Sequence, residues 1–292
     1  MQNQPKQHTL WLLAAASAPL AHYSGCGWLT ALVTATVILP LTMLPKSWEG
    51  MPRTLALVQI LWLGAVAGLL LQNSAAYWPS DNRLVVPLPL LTLAAVTRNQ
   101  SAPRLGPVLA YCIALLALPV AVSGAVRLEP QWLKETSVGW PGFLAPVLLL
   151  PSLPGAGEGH RGQQGIFLGL TAGAVSFLVQ GILSPAVAGS VPDPFYQTVR
   201  TLGYLEPVAA VGMTLGWYAL TIYLLNSASQ IAENAEISRK LTPVLTTGTA
   251  LGVLLSKWQP GVLICMVLST FLWVLAPFVT KIKKSKKDEK RC

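Results

Sequence analysis

The chain has 292 residues, of which 53% are hydrophobic and only 11% charged, whereas soluble globular proteins carry about 25% charged residues. Together with a mean hydropathy of +0.54, this composition excludes an ordinary soluble domain and predicts a polytopic membrane protein in a lipid bilayer. The net charge of +9 does not indicate nucleic acid, because much of the basic excess lies in the last residues, 281–292 (KIKKSKKDEKRC). Such a tail is typical of the cytoplasmic membrane surface.

Sequence motifs give no indication of an enzyme. The chain contains no HExxH, no GxSxG and no Walker loop, so we predict no catalytic residue and no cofactor. Four cysteines lack metal-binding spacing, which predicts reduced thiols and no metal site; they are Cys26, Cys112, Cys265 and Cys292.

The first apolar segment, 10–28 (LWLLAAASAPLAHYSGCGW), is interrupted by Pro19, Gly25 and Gly27. Residues 1–23 are compatible either with a cleaved signal peptide or with a first transmembrane helix. We favour the helix, because the segment closes tightly onto the next span at Ser24–Gly27 and because the topology below requires it.

Hydropathy along the chain predicts ten transmembrane spans joined by short connections. We therefore expect one transmembrane domain over residues 1–280, followed by the basic tail. The predicted spans are 9–23, 27–45, 54–72, 84–97, 105–126, 141–155, 165–185, 207–231, 241–256 and 260–280.

The basic residues provide a test of this topology. With the tail in the cytoplasm, alternating spans place 15 of the 20 Lys and Arg residues inside and five outside, the latter being Arg83, Arg127, Lys134, Arg200 and Lys257. The positive-inside rule predicts this bias. The sequence thus favours ten spans with both termini cytoplasmic.

The sixth span is also interrupted. It lies within 140–155 (WPGFLAPVLLLPSLPG) and contains too many Pro and Gly residues for a continuous helix. Paired interruptions in spans 1 and 6 predict a five-plus-five inverted repeat with halves 1–126 and 141–280, of the transporter type in which unwound helices flank the substrate. Unpaired backbone groups at such breaks bind polar ligands or ions.

Charged side chains are scarce in the predicted spans. All 11 Asp and Glu residues fall in loops, at span ends or in the tail, which argues against strong proton or cation coupling. His22 ends the first span; we favour an interface-facing histidine, with a proton-linked group as the alternative. Gln59 and Trp217 are predicted to face a central cavity, although packing is an equally good role for the tryptophan.

Four further stretches suggest a family. They are SGCGWLTAL (Ser24–Leu32) after a proline-containing helix end, Tyr77-Trp78-Pro79, LEPQWL (Leu128–Leu133), and PFYQTVRTLGYLEPVAAVGMTLGW (Pro194–Trp217). With the broken sixth span, their order and spacing resemble the B subunit of bacterial spore germinant receptors, the GerAB type. This family is a ten-span branch of the amino acid–polyamine–organocation transporter superfamily.

The resemblance implies a nutrient sensor in the cell membrane or spore inner membrane. It would bind a small nutrient, typically an L-amino acid, and signal germination through A-type and C-type receptor subunits. The chain departs from the family in its short length, in the glycine usual at the first break and in an acidic residue usual near Ala145. An amino acid permease of the same fold and a structural protein with an emptied site remain alternatives.

The expected ligand site lies between the two breaks. A zwitterion's carboxylate would meet the start of a half-helix near 142–144, and its ammonium would meet carbonyls near 17–20. The residues predicted to bind the ligand are Ser17, Ala18, Pro19, Gln59, Gly142, Phe143, Leu144 and Trp217.

Overall fold

A computed structural model describes residues 4–33, 51–97, 102–134, 161–238 and 240–256, and the regular structure in these ranges is entirely helical. The predictions for the sixth and tenth spans, most of the second span, the tail and Gly142, Phe143 and Leu144 lie outside the described residues. The helices are α1 (Gln4–His22), α2 (Arg53–Leu71) with a 3-10 extension (Gln72–Tyr77), α3 (Pro87–Thr97), α4 (Ala102–Val126), α5 (Pro130–Lys134), α6 (Arg161–Leu183), α7 (Pro185–Ser190), α8 (Pro194–Leu202), α9 (Glu206–Asn234) and α10 (Leu241–Leu255).

Four helical stretches are long and apolar enough to cross a membrane: Arg53–Tyr77, Arg104–Val126, Gln164–Leu183 and Glu206–Asn234. They coincide with four spans predicted from hydropathy, because long uncharged segments are the strongest sequence signal for membrane helices. Two shorter apolar helices, α3 and α10, match two further predicted spans. The helical, membrane-protein class of the chain is therefore confirmed.

The expected break in the first span is absent from α1, which runs from Gln4 to His22 with Pro19 inside it. Proline removes only its own N–H from the hydrogen-bond ladder, and the ladder resumes at once, since the Tyr23 N–H donates to the Pro19 carbonyl at 3.1 Å. Neighbouring helices stabilise such a proline in a membrane protein. The chain turns only after His22, and Trp28 begins the next helical segment.

Among the four long apolar helices, α9 is the most buried, with 72% of its most apolar 18 residues buried, against 17% in α4. It packs along α1, where the rings of Trp11 and Tyr223 meet edge to face with centroids 5.1 Å apart. Farther along, a Cβ placed on Gly216 would lie 2.7 Å from Ser17 Oγ. Small residues therefore let α1 and α9 approach closely.

A second close approach joins α2 to α10. Added Cβ atoms on Gly64 and Gly68 would lie 2.6 Å and 2.4 Å from the carbonyl oxygens of Thr246 and Ala250. Gly64 and Gly68 form a GxxxG pattern, which allows two helix backbones to touch in a membrane. This contact holds α10 against α2 without a charged group.

Polar contacts show that α2 and α9 are antiparallel. At the start of α2, Arg53 Nη2 lies 3.0 Å from Glu236 Oε2, just after the end of α9. Beyond the other end of α2, Trp78 Nε1 donates to Thr214 Oγ1 at 2.9 Å, in the first half of α9. The two helices consequently run in opposite directions.

Most other helices finish where α2 finishes. Gln72 Nε2 donates to the Val253 carbonyl at 3.1 Å, which places the ends of α2 and α10 together. The Glu129 N–H donates to the Gly181 carbonyl at 2.8 Å, which joins the ends of α4 and α6. The Trp28 N–H, just after α1, donates to Gln180 Oε1 at 3.0 Å. The end of the bundle that contains these contacts is called the Asp193 end below.

Candidate functional site

Three polar side chains from distant parts of the chain meet at the Asp193 end. His22 is the last residue of α1, Tyr77 is the last residue of the 3-10 helix, and Asp193 directly precedes α8. His22 and Asp193 are 171 residues apart in sequence. The fold therefore brings the ends of two helices onto the connection between α7 and α8.

The contacts within this triad are short. His22 Nδ1 lies 2.7 Å from Asp193 Oδ2, and the Tyr77 hydroxyl donates to the same oxygen. His22 Nδ1 also lies 3.0 Å from the Tyr77 hydroxyl. The other carboxylate oxygen, Oδ1, accepts the Tyr196 N–H at 2.9 Å. Both carboxylate oxygens are thus occupied by donors.

Asp193 also caps α8. An aspartate before a helix whose first residue is proline is a preferred start, because the carboxylate accepts a free N–H of the first turn. Its negative charge is favourable at the positive end of the helix dipole. Local sequence therefore fixes the position of the carboxylate, and His22 and Tyr77 complete its hydrogen bonding.

Aromatic rings surround His22. Its ring meets those of Tyr23 and Trp217 edge to face, with centroid distances of 4.6 Å and 5.7 Å. Asn73 Nδ2 donates to the Tyr23 hydroxyl at 3.2 Å. These rings exclude water, and the side chains of His22 and Asp193 are each only 10% exposed.

The triad lies well inside the bundle along α9. Trp217, against which His22 packs, is about 16 Å from Glu206 at the helical rise of 1.5 Å per residue. The α7–α8 connection therefore folds inward beside α9.

This geometry corrects one expectation. His22 is expected from sequence to face the membrane interface, but it is buried and bonded to a carboxylate. Asp193 lies in a connection between helices, as the sequence indicates, and its side chain is nevertheless largely enclosed. A loop position in sequence does not determine depth when the loop is packed into the fold.

A second polar group extends from the triad toward the surface. The rings of Tyr77 and Tyr196 meet edge to face at 5.1 Å, and the Tyr196 hydroxyl donates to Glu206 Oε1 at 2.5 Å. Arg200 Nε lies 3.7 Å from the same oxygen. Burial, followed by the hydrogen bond to Glu206, raises the pKa of Tyr196 to about 12. Tyr196 therefore keeps its hydroxyl proton, and can donate a hydrogen bond, throughout the physiological pH range.

The chemistry available to the triad is proton binding. Hydrogen bonds join an imidazole, a carboxylate and a phenol in this cluster, and histidine is the side-chain type that most readily serves as a proton-binding group in proteins. In the described ranges, no group of three His, Cys, Asp or Glu side chains is arranged to hold a metal ion.

Among the predicted ligand-binding residues, Ser17, Ala18 and Pro19 lie within α1, where Ser17 Oγ donates to the Ala14 carbonyl at 2.7 Å. A Cβ on Gly216 would lie 2.8 Å from Ala18 Cβ, so this face of α1 is filled by α9. Trp217 is fully buried and is the predicted residue that contacts the triad.

Gln59 in α2 is 1% exposed. Neither its Nε2 nor its Oε1 has a hydrogen-bond partner among the described residues. A buried amide left unpaired costs about 1–3 kcal/mol. Gln59 therefore differs from Ser17 in having hydrogen-bonding capacity available for another group.

Sequence reasoning did not identify Tyr77 or Asp193 as site residues. The PDP sequence at 192–194 is a signal for a helix start, and it predicts the capping role of Asp193. No local pattern predicts its contact with His22, because that contact depends on the packing of α1 against the α7–α8 connection.

Comparison of the chain with protein-family models and with curated proteins gives no match.

Proposed function

We propose that the chain is a ten-span membrane protein of the five-plus-five inverted-repeat type, with both termini in the cytoplasm. The directions of the described helices support this topology. After α1 the chain turns at the Asp193 end, and it returns at Arg53, which lies at the opposite end. After α4 it is at the Asp193 end, and α6 starts again from the opposite end. Each interval contains one predicted span.

The basic residues support the proposed orientation. Arg127 and Lys134 follow the end of α4 at the Asp193 end, whereas Arg53, Arg104 and Lys240 lie near helix starts at the opposite end. These two groups correspond to the predicted outside and inside sets. The proposal thus assigns the Asp193 end to the outside.

Helix packing supports the repeat. The third, fourth, eighth and ninth predicted spans correspond to α2, α3, α9 and α10, and these four helices pack on one another. A shift of five spans exchanges the third with the eighth and the fourth with the ninth, so the cluster maps onto itself. The antiparallel arrangement of α2 and α9 is also what an odd number of spans per repeat requires.

We propose further that the protein binds a small nutrient, with an L-amino acid as the expected class. The observation that carries this proposal is the buried amide of Gln59, which has no hydrogen-bond partner within the part of the chain that the structure describes. An amide offers both a donor and an acceptor, which match the carboxylate and the ammonium of a zwitterion. Gln59 lies in α2, which packs against α9, the helix that carries Trp217.

The preferred output is a signal, as the B subunit of a germinant receptor with A-type and C-type partners. The sequence resemblance supports this role. A proton-coupled amino acid permease is the second candidate, and the buried His22–Asp193 pair favours it, because carriers use such ionisable groups in the interior. In both cases the protein itself is proposed to catalyse no chemical reaction.

One experiment separates these outputs. The purified protein is placed in proteoliposomes, and binding and uptake of labelled amino acids are measured with and without proton and sodium gradients. Saturable binding without uptake supports the sensor, and gradient-driven accumulation supports the permease. Absence of both over the whole amino acid panel contradicts nutrient binding.

The role of Gln59 is tested by Gln59→Leu in the same assay. Loss of two hydrogen bonds to the ligand is expected to weaken binding at least about tenfold, or about 1.4 kcal/mol. Gln164→Leu is the matched control, since Gln164 in α6 is equally buried and has no partner among the described residues. Equal binding by wild type and Gln59→Leu excludes Gln59 from the site.

A further inference from the structure

We propose that His22, Asp193 and Tyr77 form a proton-controlled latch that holds the α7–α8 segment against the end of α1. The inference depends on the geometry of the triad and not on the identity of the nutrient. The proton is the ligand of this cluster. Its binding changes how tightly residues 185–196 pack.

The α7–α8 segment is a structural unit bounded by two unusual backbone positions. Ser184, just before α7, has φ of 67°, and Gly203, just after α8, has φ of 78°. A non-glycine residue with this backbone conformation is strained by about 1–3 kcal/mol and persists only where surrounding contacts hold it. These two residues are the positions at which the segment can change direction.

The two halves of the segment are held by different apolar clusters. In α8, Val199 and Leu202 are buried in an apolar cluster with Val120 of α4. In α7, Ala188 is buried in a smaller apolar cluster with Val179 and Leu183 of α6, and Val187 is 42% exposed. Both halves are therefore anchored by apolar packing, and the contacts at the edges of the segment add to it.

One of those edges is the turn after α1. A Cβ on Gly25 would lie 2.5 Å from the Ala188 carbonyl oxygen and 3.0 Å from Pro194 Cγ. The turn and the segment are thus in backbone contact, and the His22–Asp193 bond is a second contact between the same two parts of the chain. Loss of that bond frees the end of α1 from the segment.

Protonation of His22 strengthens the latch. A carboxylate acceptor makes the 2.7 Å contact between His22 Nδ1 and Asp193 Oδ2 charge-assisted in either state of the imidazole, and a proton on the imidazole adds Coulombic attraction to the carboxylate in a largely enclosed site. Protonation of Asp193 at lower pH has the opposite effect, because both of its oxygens already accept hydrogen bonds and an added proton must displace a donor.

The other titratable and charged groups that face the triad are three tyrosines, one glutamate and one arginine. Tyr77 and Tyr196 face Asp193, and Tyr23 faces His22; phenols stay protonated at neutral pH. Glu206 and Arg200 reach the cluster only through Tyr196 and compensate each other's charge.

Hydrogen–deuterium exchange of the full-length protein in lipid nanodiscs tests the latch without any nutrient. After correction for the chemical exchange rate, amides of 185–199 are expected to exchange about three- to tenfold more slowly at pH 6 than at pH 8. Peptides from α10 serve as the reference for global stability. An equal protection of 185–199 at both pH values overturns the proposal.

His22→Asn is the decisive variant, because asparagine keeps an N–H donor near the position of Nδ1 but takes up no proton. It is expected to remove the pH dependence while retaining most of the protection. His8→Asn, the same change near the other end of α1, is expected to leave the dependence intact. If His22→Asn retains the wild-type pH dependence, the latch is not controlled by His22.

Asp193→Asn provides a second test if His22→Asn fails to fold. The amide at 193 carries no negative charge, so a proton on His22 no longer gains the attraction between opposite charges, and the pH dependence is expected to be largely lost. A retained dependence in this variant contradicts the proposal as well.

Discussion

The two ends of the bundle each contain a contact between a basic and an acidic side chain at helix termini, in opposite environments. His22 and Asp193 are each 10% exposed at the side chain and share Tyr77. Arg53 and Glu236, at the other end, are 67% and 82% exposed and 3.0 Å apart. Acid–base pairing is thus found both inside the fold and in solvent.

This difference shows that distance alone does not measure an ion pair's contribution. In solvent, the attraction between exposed charges is weak, is screened by salt and is offset by lost side-chain entropy. In the interior, each buried charge depends on its partners, so the removal of one leaves the other unpaired. The predictions below follow from this contrast.

The largest effect is expected for Asp193→Ala. The substitution leaves His22 and Tyr77 without their shared acceptor and removes the cap of α8. A broken buried pair costs about 3–5 kcal/mol. We expect the free energy of unfolding to fall by about 3 kcal/mol, because the site is not fully closed to solvent. The measurement is unfolding in mixed detergent micelles, followed by far-ultraviolet circular dichroism.

Asp81→Ala is the matched control for this variant, since Asp81 is an exposed carboxylate in a connection at the same end. Its unfolding is expected to match that of the wild type. If the two aspartate variants unfold alike, the buried triad makes no special contribution to stability.

The contrast between the two pairs also marks what sequence could predict. Span positions followed from hydropathy because apolar length is a local property; α4, predicted at 105–126, begins at Ala102 and ends at Val126. The depth of Asp193 could not be predicted this way, since a hydropathy plot places every polar loop outside. Its capping role was available from the neighbouring prolines, but its partner was not.

The break predicted at Ser17–Pro19 shows a different limit. Pro19 indicates an interrupted helix when read locally, but α1 is continuous, and α9 packs against it through Gly216. Tertiary contacts offset the lost hydrogen bond at Pro19. For the predicted site, Gln59 has side-chain atoms that no described residue hydrogen-bonds, whereas Ser17 and Ala18 are engaged in helix packing.

An intermediate effect is expected at Tyr196, between the buried triad and the surface. Its pKa in the folded protein is raised from 10.0 to about 12, first by burial and then by Glu206. A group with a raised folded pKa contributes stability below its unfolded pKa and loses that contribution as pH rises through the folded value. Stability should therefore fall between pH 10 and pH 12.

Tyr196→Phe is expected to weaken this alkaline loss, and tyrosinate absorbance should show one fewer late-titrating phenol. Tyr204, which is 73% exposed, provides the comparison, because Tyr204→Phe should leave the late phase unchanged. If Tyr196→Phe has as many late-titrating phenols as the wild type, the late titration belongs to another tyrosine.

The smallest effect is expected for Arg53→Ala. Exposed pairs of this kind contribute about 0.2–1 kcal/mol, and we expect at most about 0.5 kcal/mol because both side chains are mostly in solvent. The measurement is the same micelle unfolding, repeated at low and high salt; the small difference between wild type and variant should shrink as salt is added. The contrary result is a loss of unfolding free energy as large as that of Asp193→Ala and insensitive to salt. Burial would then not determine how much each pair contributes, and the position at helix ends, which both pairs share, would.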